Sequence, residues 1–392
     1  MIEGKKIEIG STLTYGQVGG GEGSFIGPVH RAAIALNGGV KIVAGSFSRH
    51  YDVSLKTAKN LGISEDRVYK DFEEMAEKEA EREDKLDFVL ITTPNHLHYK
   101  AAKTFLEKGF NIVCDKPLCF TVDEATELVE LAREKNVEFM VTYTYTGYPM
   151  VREAKRLISS GALGNIRIVM AEYPQDWLSD PIEREGQKQA EWRTNPKYTG
   201  ISCCVGDIGT HIENLVHFGT GLEIKELAAR LETFVEGRPL DDNAYILLKY
   251  ESGASGNYWS SQVAVGRANS LKIRVFGTEG SIEWEQENPE VLKFTKKGEP
   301  TQYLSKGGNY LSGAAQSATR LPGGHPEGYF EALSNLYKFY VNRLISKKRG
   351  EEANPYEVFP DVVDGARGVK FIHDCVKSSK EGTRWVDATF KI

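Results

Sequence analysis

From Lys41 to Tyr145 the chain alternates between two periods, and no other feature restricts its fold as much. Short apolar, β-branched runs ("KIVAGSF" at 41–47, "DFVLITT" at 87–93, "FNIVC" at 110–114, "VEFMVTYTY" at 137–145) are separated by segments with helical spacing. "SLKTAKNLG" stops at Gly62 and "NHLHYKAAKTFLEKG" stops at Gly109, each a good helix terminator. "TVDEATELVELAREKN" places Thr121 and Glu124 at capping-box spacing. Strands this short and apolar, alternating with helices, predict a parallel sheet with helices on both faces.

Ahead of the alternation, five of the nine residues from Gly19 to Gly27 are glycine. They lie between an apolar run and a helical one. A Rossmann fold places its phosphate-binding turn there, because glycine lets the backbone turn tightly and approach a pyrophosphate. The helix that follows aims its free N–H groups at the anion. The spacing is Gly21-x-Gly23-x-x-x-Gly27, one residue longer than the usual pattern. The candidate cradle is Gly21, Gly23, Ser24, Phe25 and Ile26. The second strand ends in "AGSFSRH", with no acid at 45–48 to hold an NAD ribose. Ser48 and Arg49 stand there instead, and an arginine accepts a 2′-phosphate. The expected cofactor is NAD or NADP, with a tilt towards NADP. The alternative is that Arg49 is a solvated loop residue and NAD binds without the acid.

After Tyr145 the pattern changes. "VREAKRLISSG" is one more helix. Long strand-like segments follow: "IRIVMAEY", "KELAARLETFV", "AYILLKY", "ASGNYWSSQV" and "LKIRVFG". "ESGA" (251–254) and "GTEG" (277–280) read as hairpin turns. The expected architecture is an α/β Rossmann domain over 1–145, plus an α+β domain over 146–392 with a large, mostly antiparallel open sheet. Residues 298–325, rich in Gly, Ser and Thr, have no clear period and are expected to be functional, such as a lid, or disordered. Two helices close the chain, and the last is free to pack back on the first domain.

Three motifs carry chemistry. "TTPNHLHYKAA" (92–102) starts at the carboxyl end of a strand, where such sheets line their ligand crevice, so Pro94 and Asn95 are placed against the cofactor. His96 and His98 read as capping or packing side chains, with His98 kept among the candidate cofactor contacts. "CDKPLCF" (114–120) ends the next strand. Pro117 pushes Lys116 into an extended conformation or a cis bond, from which its ammonium can point into the crevice. "CCVGDIGTHIENLVHFGTG" (203–221) reads as the start of a helix, with Asp207 and His211 four apart on one face. Either Asp207 caps and His211 packs, or the acid orients a histidine that accepts a proton.

Glycine turn, Lys-Pro and Asp-x-x-x-His, in this order, resemble the glucose–fructose oxidoreductase/inositol dehydrogenase/MocA family along nearly the whole chain. "WR" at Trp192 and Arg193 fits the same pattern. The resemblance implies that Lys116, Asp207 and His211 are catalytic and that Asn95 and Asp115 lie near the cofactor ribose. It implies an enzyme that oxidises a secondary hydroxyl of a sugar, glycoside or polyol by hydride transfer. In that mechanism His211 is the base, Lys116 steadies the alkoxide, and Asp207 hydrogen-bonds substrate or His211. The chain departs from the pattern at Asp115, which replaces a glutamate, and in "GISCCVG", which replaces a glycine triplet. Trp177 and Trp192 are expected to stack on a sugar face or to be core. Gln175, Asp176, Arg193 and His325 are expected to bond its hydroxyls. Two rivals stay open: an NAD-dependent glycoside-cleaving enzyme that works by transient oxidation, and a non-enzymatic dinucleotide-binding regulator.

Composition narrows the partners. The formal net charge is −6 with no basic stripe, which argues against nucleic acid. No run approaches 18 apolar residues, so no membrane span is expected, and "MIEGKKIEIG" lacks a secretory apolar stretch. The five cysteines form no CxxC pair and read as reduced thiols in the cytoplasm. No metal is expected. An open sheet exposes a face for a partner, so a homodimer or homotetramer is expected.

Overall fold

The computed structural model describes residues 13–392; the opening stretch read for its lack of an apolar run falls, but for its neighbours, in 1–12, outside them. Two sheets organise the chain. The first holds β1 (Leu13–Gly19), β2 (Val40–Ser46), β3 (Phe88–Thr92), β4 (Asn111–Cys114) and β5 (Phe139–Val141), in the order β2-β1-β3-β4-β5. All its pairs are parallel. The crossovers carry α1 (Ile26–Ala35), α2 (Tyr51–Leu61), α3 (Phe72–Glu81), α4 (His98–Glu107) and α5 (Val122–Glu134). β3 is buried at every position, as a strand with helices on both faces must be. The capping box starts α5: Thr121 Oγ1 accepts the Glu124 N–H at 3.2 Å, and Glu124 accepts the Thr121 N–H at 3.0 Å. α2 stops at Gly62, whose φ of 67° closes the helix in the left-handed region. From β1 the chain steps one way to β2 and the other way to β3. That reversal opens a crevice at the carboxyl ends of β1 and β3.

The fourth apolar run is a strand for three residues only. At Tyr143 and Thr144 the backbone turns back on itself, bonding Val141 O at 2.9 Å and Thr142 O at 3.0 Å. Thr144–Gly147 then forms a 3₁₀ turn. The extended reading of 137–145 is therefore corrected. Its tyrosines leave the sheet and enter the site described below.

The second half contains α6 (Pro149–Ser159), β6 (Ile166–Pro174), α7 (Lys188–Arg193), α8 (Pro196–Thr199), α9 (Thr210–Thr220) and β7 (Ile224–Glu232). These are followed by β8 (Asn243–Tyr250), β9 (Ser255–Ser261), β10 (Lys272–Gly277), β11 (Gly280–Glu285), β12 (Val291–Lys296) and β13 (Gln302–Ser305). The chain closes with α10 (Gly313–Ala318), α11 (Tyr329–Arg349), α12 (Val362–Lys380) and β14 (Val386–Asp387). The sheet order is β13-β12-β11-β10-β6-β9-β8-β7-β14, antiparallel throughout except for the parallel pair β6 and β9. One face carries the core against α6, α9 and α12. On β8, Ala244, Ile246 and Leu248 point into that core, while Tyr245 and Leu247 are exposed on the other face.

Residues 298–325 are ordered, which corrects the disordered reading. Buried Lys306 donates to Glu327 at 2.8 Å and to the carbonyls of His325 (2.8 Å) and Leu321 (3.3 Å). Arg320 bonds Asn335, Ser334 and Asn37. The closing helices knit the two sheets together. α11 lays Leu333, Leu336, Tyr337 and Tyr340 against Leu13, Tyr15, Phe88 and Leu90 of the first sheet. α12 gives Val362, Ala366 and Val369 to the first core and Phe371, Ile372 and Cys375 to the second. No helix among the described residues is long and apolar enough to cross a membrane. All five cysteines are buried free thiols.

Candidate active site

The glycine turn sits at the crevice, but its working glycines are not all those the spacing suggested. Gly19 and Gly20 have φ of 77° and 71°, a region that favours glycine. A Cβ on Gly27 would lie 2.4 Å from the Gly20 Cα, so the turn and the start of α1 touch backbone to backbone. Gly21 is pressed on the Phe47 carbonyl, which accepts its N–H at 3.1 Å. At the start of α1, Phe25 offers no side-chain cap, and the first turn holds no acid. Ser24 Oγ takes the Gly27 N–H at 3.3 Å. A helix start with no cap from Phe25 and no negative charge, behind a turn made of backbone, fits a dinucleotide pyrophosphate. At the end of β2 Ser48 accepts the His50 N–H, and Arg49 is exposed beside His50.

At the end of β3, Pro94 is exposed and Asn95 is buried. His98 does not face the crevice and is corrected as a cofactor contact. It is fully buried, with Nδ1 2.8 Å from Pro117 O and Nε2 2.8 Å from Thr93 O. Burial lowers its pKa and keeps the ring neutral with a single N–H, so it donates to one of these carbonyls, lying between the β3 end and the Lys-Pro turn. Asp115 accepts from Thr142 Oγ1 at 2.6 Å and lies 3.4 Å from His30 Nε2 through the same oxygen, Oδ1. Burial works to raise its carboxyl, but His30 and Thr142 hold it well below the usual range.

The Lys116–Pro117 bond is cis. Across the crevice, the helical start at Val205–Gly209 is a π turn, a widened turn frequent at functional sites. It is held by Asp241, whose carboxylate accepts from Ser202 Oγ (2.9 Å) and from the N–H groups of Cys203 and Val205 (3.0 Å each). The turn presents Asp207 to Lys116: Nζ donates to Asp207 Oδ1 at 2.8 Å and to its carbonyl at 2.5 Å. Gln262 Nε2 donates to Oδ2 at 3.0 Å, and Arg193 Nε lies 3.3 Å from the same oxygen. Burial would raise the Asp207 carboxyl, but Lys116 and Arg193 outweigh it and keep it ionised.

One turn further on, His211 is 9% exposed and packs edge-on to Tyr145, with ring centroids 4.8 Å apart. Tyr143 and Tyr173 lie beyond at 5.6 and 6.2 Å. Burial first, then the Lys116 charge, press the imidazole well below its ordinary pKa. Its Nδ1 is buried without a partner, and Asp207 makes no hydrogen bond to it. Of the two expected partners of Asp207, substrate or His211, the bond to His211 is absent. The acid acts on the histidine through charge alone.

The six residues expected to bind substrate do not gather as a set. Arg193 joins the Lys116–Asp207 cluster through Asp207, its guanidinium 4.1 Å from the Trp192 ring and 5.8 Å from that of Trp177. Trp192 Nε1 donates to Gln189. Gln175 reaches Asn269, while Asp176 accepts the Gly266 N–H through Oδ2. His325 is exposed on the 322–325 turn, with Nδ1 3.3 Å from Pro322 O, and none of its bonds reaches the cluster. Residue-by-residue reading missed Gly19, Gly20, Tyr145, Tyr173, Asp241 and Gln262. Asp241 and Gln262 act on turns 36 to 59 residues away, a distance over which no local pattern signals. Among the described residues, no group of three or more His, Cys, Asp or Glu is placed to hold a metal ion.

With this geometry in hand, known proteins are informative. Residues 13–143 match the oxidoreductase family with an NAD-binding Rossmann fold, and residues 151–283 match the GFO/IDH/MocA C-terminal domain. The chain is 34% identical over 391 residues to the uncharacterized oxidoreductase YfiI of Bacillus subtilis (strain 168), covering 99% of both chains. It superposes on an inositol dehydrogenase homologue of Azotobacter vinelandii complexed with NAD+, with a TM-score of 0.93 and 38% identity, over 99% of this chain and 100% of that one. A second structure of such a homologue from that organism, with NADH and myo-inositol, gives a TM-score of 0.89 and 37% identity over 97% and 98% of the two chains. An NAD-binding Rossmann domain, a second sheet and a Lys/Asp/His cluster between them thus come with full-length similarity: this chain belongs to the GFO/IDH/MocA family of oxidoreductases.

Proposed function

We propose that the protein oxidises a secondary hydroxyl of a cyclic polyol or sugar, passing hydride to NAD, with residues 1–145 serving the cofactor and 146–392 the substrate and assembly. The observation that carries this is the meeting of Lys116 with Asp207, 91 residues apart in sequence, one helical turn before His211 and across the crevice from the glycine turn. NAD, when bound, supplies the hydride acceptor. A relative's myo-inositol, a ring of secondary hydroxyls, supports the substrate class. NAD+ and NADH in relatives favour NAD, and the exposed Arg49 makes NADP the parallel arm of the test.

His211 takes the hydroxyl proton at Nε2 as the C–H bond gives up its hydride. An imidazole held neutral by burial and Lys116 is in the form that accepts a proton. Lys116 stabilises the developing alkoxide with its ammonium. Asp207, kept ionised by Lys116 and Arg193, holds that ammonium in place. Turnover of monosaccharides, glycosides and inositols, assayed with NAD and NADP separately by nicotinamide absorbance, tests the reading. Oxidation of a polyol or sugar that disappears in His211→Ala is expected. No turnover across the panel would sink it.

The open face of the second sheet completes the proposal. Tyr245 stacks on Trp259 there, beside exposed Leu247, Ile168 and Phe276. Apolar surface of this kind suits a second copy of the chain, giving a homodimer or homotetramer. Five buried thiols suit the reducing cytoplasm.

A further inference from the structure

Asp207 is set by more than Lys116. Its Oδ2 accepts from Gln262 Nε2 at 3.0 Å and lies 3.3 Å from Arg193 Nε. Gln262 stands one residue past β9 and is fully buried. Its backbone is pinned on both sides: the N–H donates to Asp242 O at 2.8 Å, and the carbonyl accepts the Leu178 N–H at 3.0 Å. The other end of its carboxamide, Oε1, lies 3.2 Å from Cys203 Sγ.

A carboxamide has one donating end and one accepting end of nearly the same shape. Here both ends are decided by their neighbours. Ionised Asp207 can only accept, so Nε2 must face it. Oε1 then faces Cys203, and the sulfur must donate. Cys203 is buried and packs with Leu178 and Ala190. Burial first, then the charges of Asp241 and Asp207, push its pKa up and keep the proton on the sulfur. Without the thiol, Oε1 would lose the donor that faces it, and nothing at that end would tell the two orientations of the amide apart. The Cys203 backbone is fixed separately. Its N–H donates to Asp241 at 3.0 Å, and its carbonyl accepts the Asp207 N–H at 2.8 Å. A change confined to the thiol therefore leaves the hydrogen bonds of the π turn in place.

We propose that Gln262 is a positioning residue that holds the Asp207 carboxylate, and through it the Lys116 ammonium, in place for hydride transfer, with the Cys203 thiol fixing which way its carboxamide faces; this rests on the hydride-transfer reading above. Wild type, Gln262→Leu, Cys203→Ala and Cys203→Ser are compared as full chains. The probes are NAD with myo-inositol, or with whichever monosaccharide, glycoside or inositol of the panel wild type oxidises fastest. Rates are counted per NADH-binding site, with Tm and NADH affinity read alongside. Gln262→Leu is expected to lower kcat roughly 5- to 30-fold, with NADH affinity within about twofold of wild type. Cys203→Ala is expected to lower kcat roughly 3- to 10-fold. Cys203→Ser, whose hydroxyl donates in the thiol's place, is expected to bring kcat back to within about twofold of wild type. A side chain that only filled space would give the opposite order, since an apolar pocket resists a hydroxyl more than a methyl. A kcat in Cys203→Ser no higher than in Cys203→Ala would overturn the role of the thiol, and that pair decides alone if Gln262→Leu does not fold. Unchanged kcat in Gln262→Leu, or a fall matched by an equal loss of NADH affinity, would overturn the proposal and leave the hydride-transfer reading standing. No turnover of any panel member by wild type would overturn both.

Discussion

At the scale of single residues, the site is a set of hydrogen bonds with direction. Tyr173 donates to Asn269 Oδ1 at 2.7 Å, and Gln175 Nε2 donates to the same oxygen at 2.7 Å. Tyr173 has only one proton, so Tyr145 must donate in the bond the two hydroxyls share. The Tyr145 oxygen beside His211 can then only accept, which suits a substrate hydroxyl. Tyr173→Phe frees the Tyr145 proton and is expected to raise the substrate KM several-fold while NADH affinity, read by fluorescence titration, stays put. His211→Ala should lower kcat by roughly 10²–10⁴-fold, with an unfolding curve close to wild type. Lys116 is one cause of the depressed His211 pKa. Removing its charge in Lys116→Met therefore raises that pKa, and the imidazole begins to protonate at a higher pH. NMR titration of the ring resonances checks the sign without relying on activity. Lys116, Asp207 and His211 were legible in the chain because Lys-Pro and Asp-x-x-x-His are local motifs. The ties of Asp207 to Gln262 and Arg193 were not, because they depend on which loops the second sheet brings together.

Element by element, β2, β3 and β4 and the helices α2, α4 and α5 could be read from the chain, while α3 was not read and the run 137–145 proved a strand for three residues only. β3 is buried at every position and α5 opens with a capping box, and period and cap are properties of adjacent residues. The π turn could not be read. It follows from the Asp241 carboxylate bonding three groups at the start of the helix, from 36 to 39 residues away. The glycine turn was found, but its tightest pair was not, since Gly20 and Gly27 meet only once α1 packs beside β1. Gly27→Ala forces a Cβ to 2.4 Å from the Gly20 Cα. It is expected to cost roughly 1–3 kcal/mol of stability and to weaken NADH binding, measured by thermal unfolding and titration. Helix α9 also carries a buried acid off the reaction path. Burial first pushes Glu213 from 4.5 up to about 8, against the pull of Arg367. Its folded pKa lies above its unfolded one, so the folded state holds the extra proton between those values. Stability then falls as pH rises from about 4.5 to about 8, by up to about 1.4 kcal/mol per unit. Glu213→Gln should remove that slope, and its Tm advantage over wild type should grow between pH 5 and pH 8.

On the scale of the whole molecule, chain order and spatial order part company. α11 follows the second sheet in sequence yet covers one face of the first, and α12 is shared between both cores. The two closing helices therefore tie the cores on either side of the crevice to one another. The outer face of the second sheet is the surface left over. If a second copy covers it, Leu247→Lys should give a smaller particle by sedimentation, with the Lys116–Asp207 cluster and cofactor affinity intact. The chain by itself determined the alternating layers of the first sheet, the α5 cap and the motifs that carry Lys116, Asp207 and His211, because each is written in period, spacing or neighbouring residue type. Only the tertiary structure decided that His98 lies between the β3 end and the Lys-Pro turn, that Arg193 serves Asp207, that His325 stands apart and that Gln262 faces Asp207. Those outcomes depend on loops from distant strands meeting across the crevice, and packing sets such meetings without leaving a local trace in the sequence.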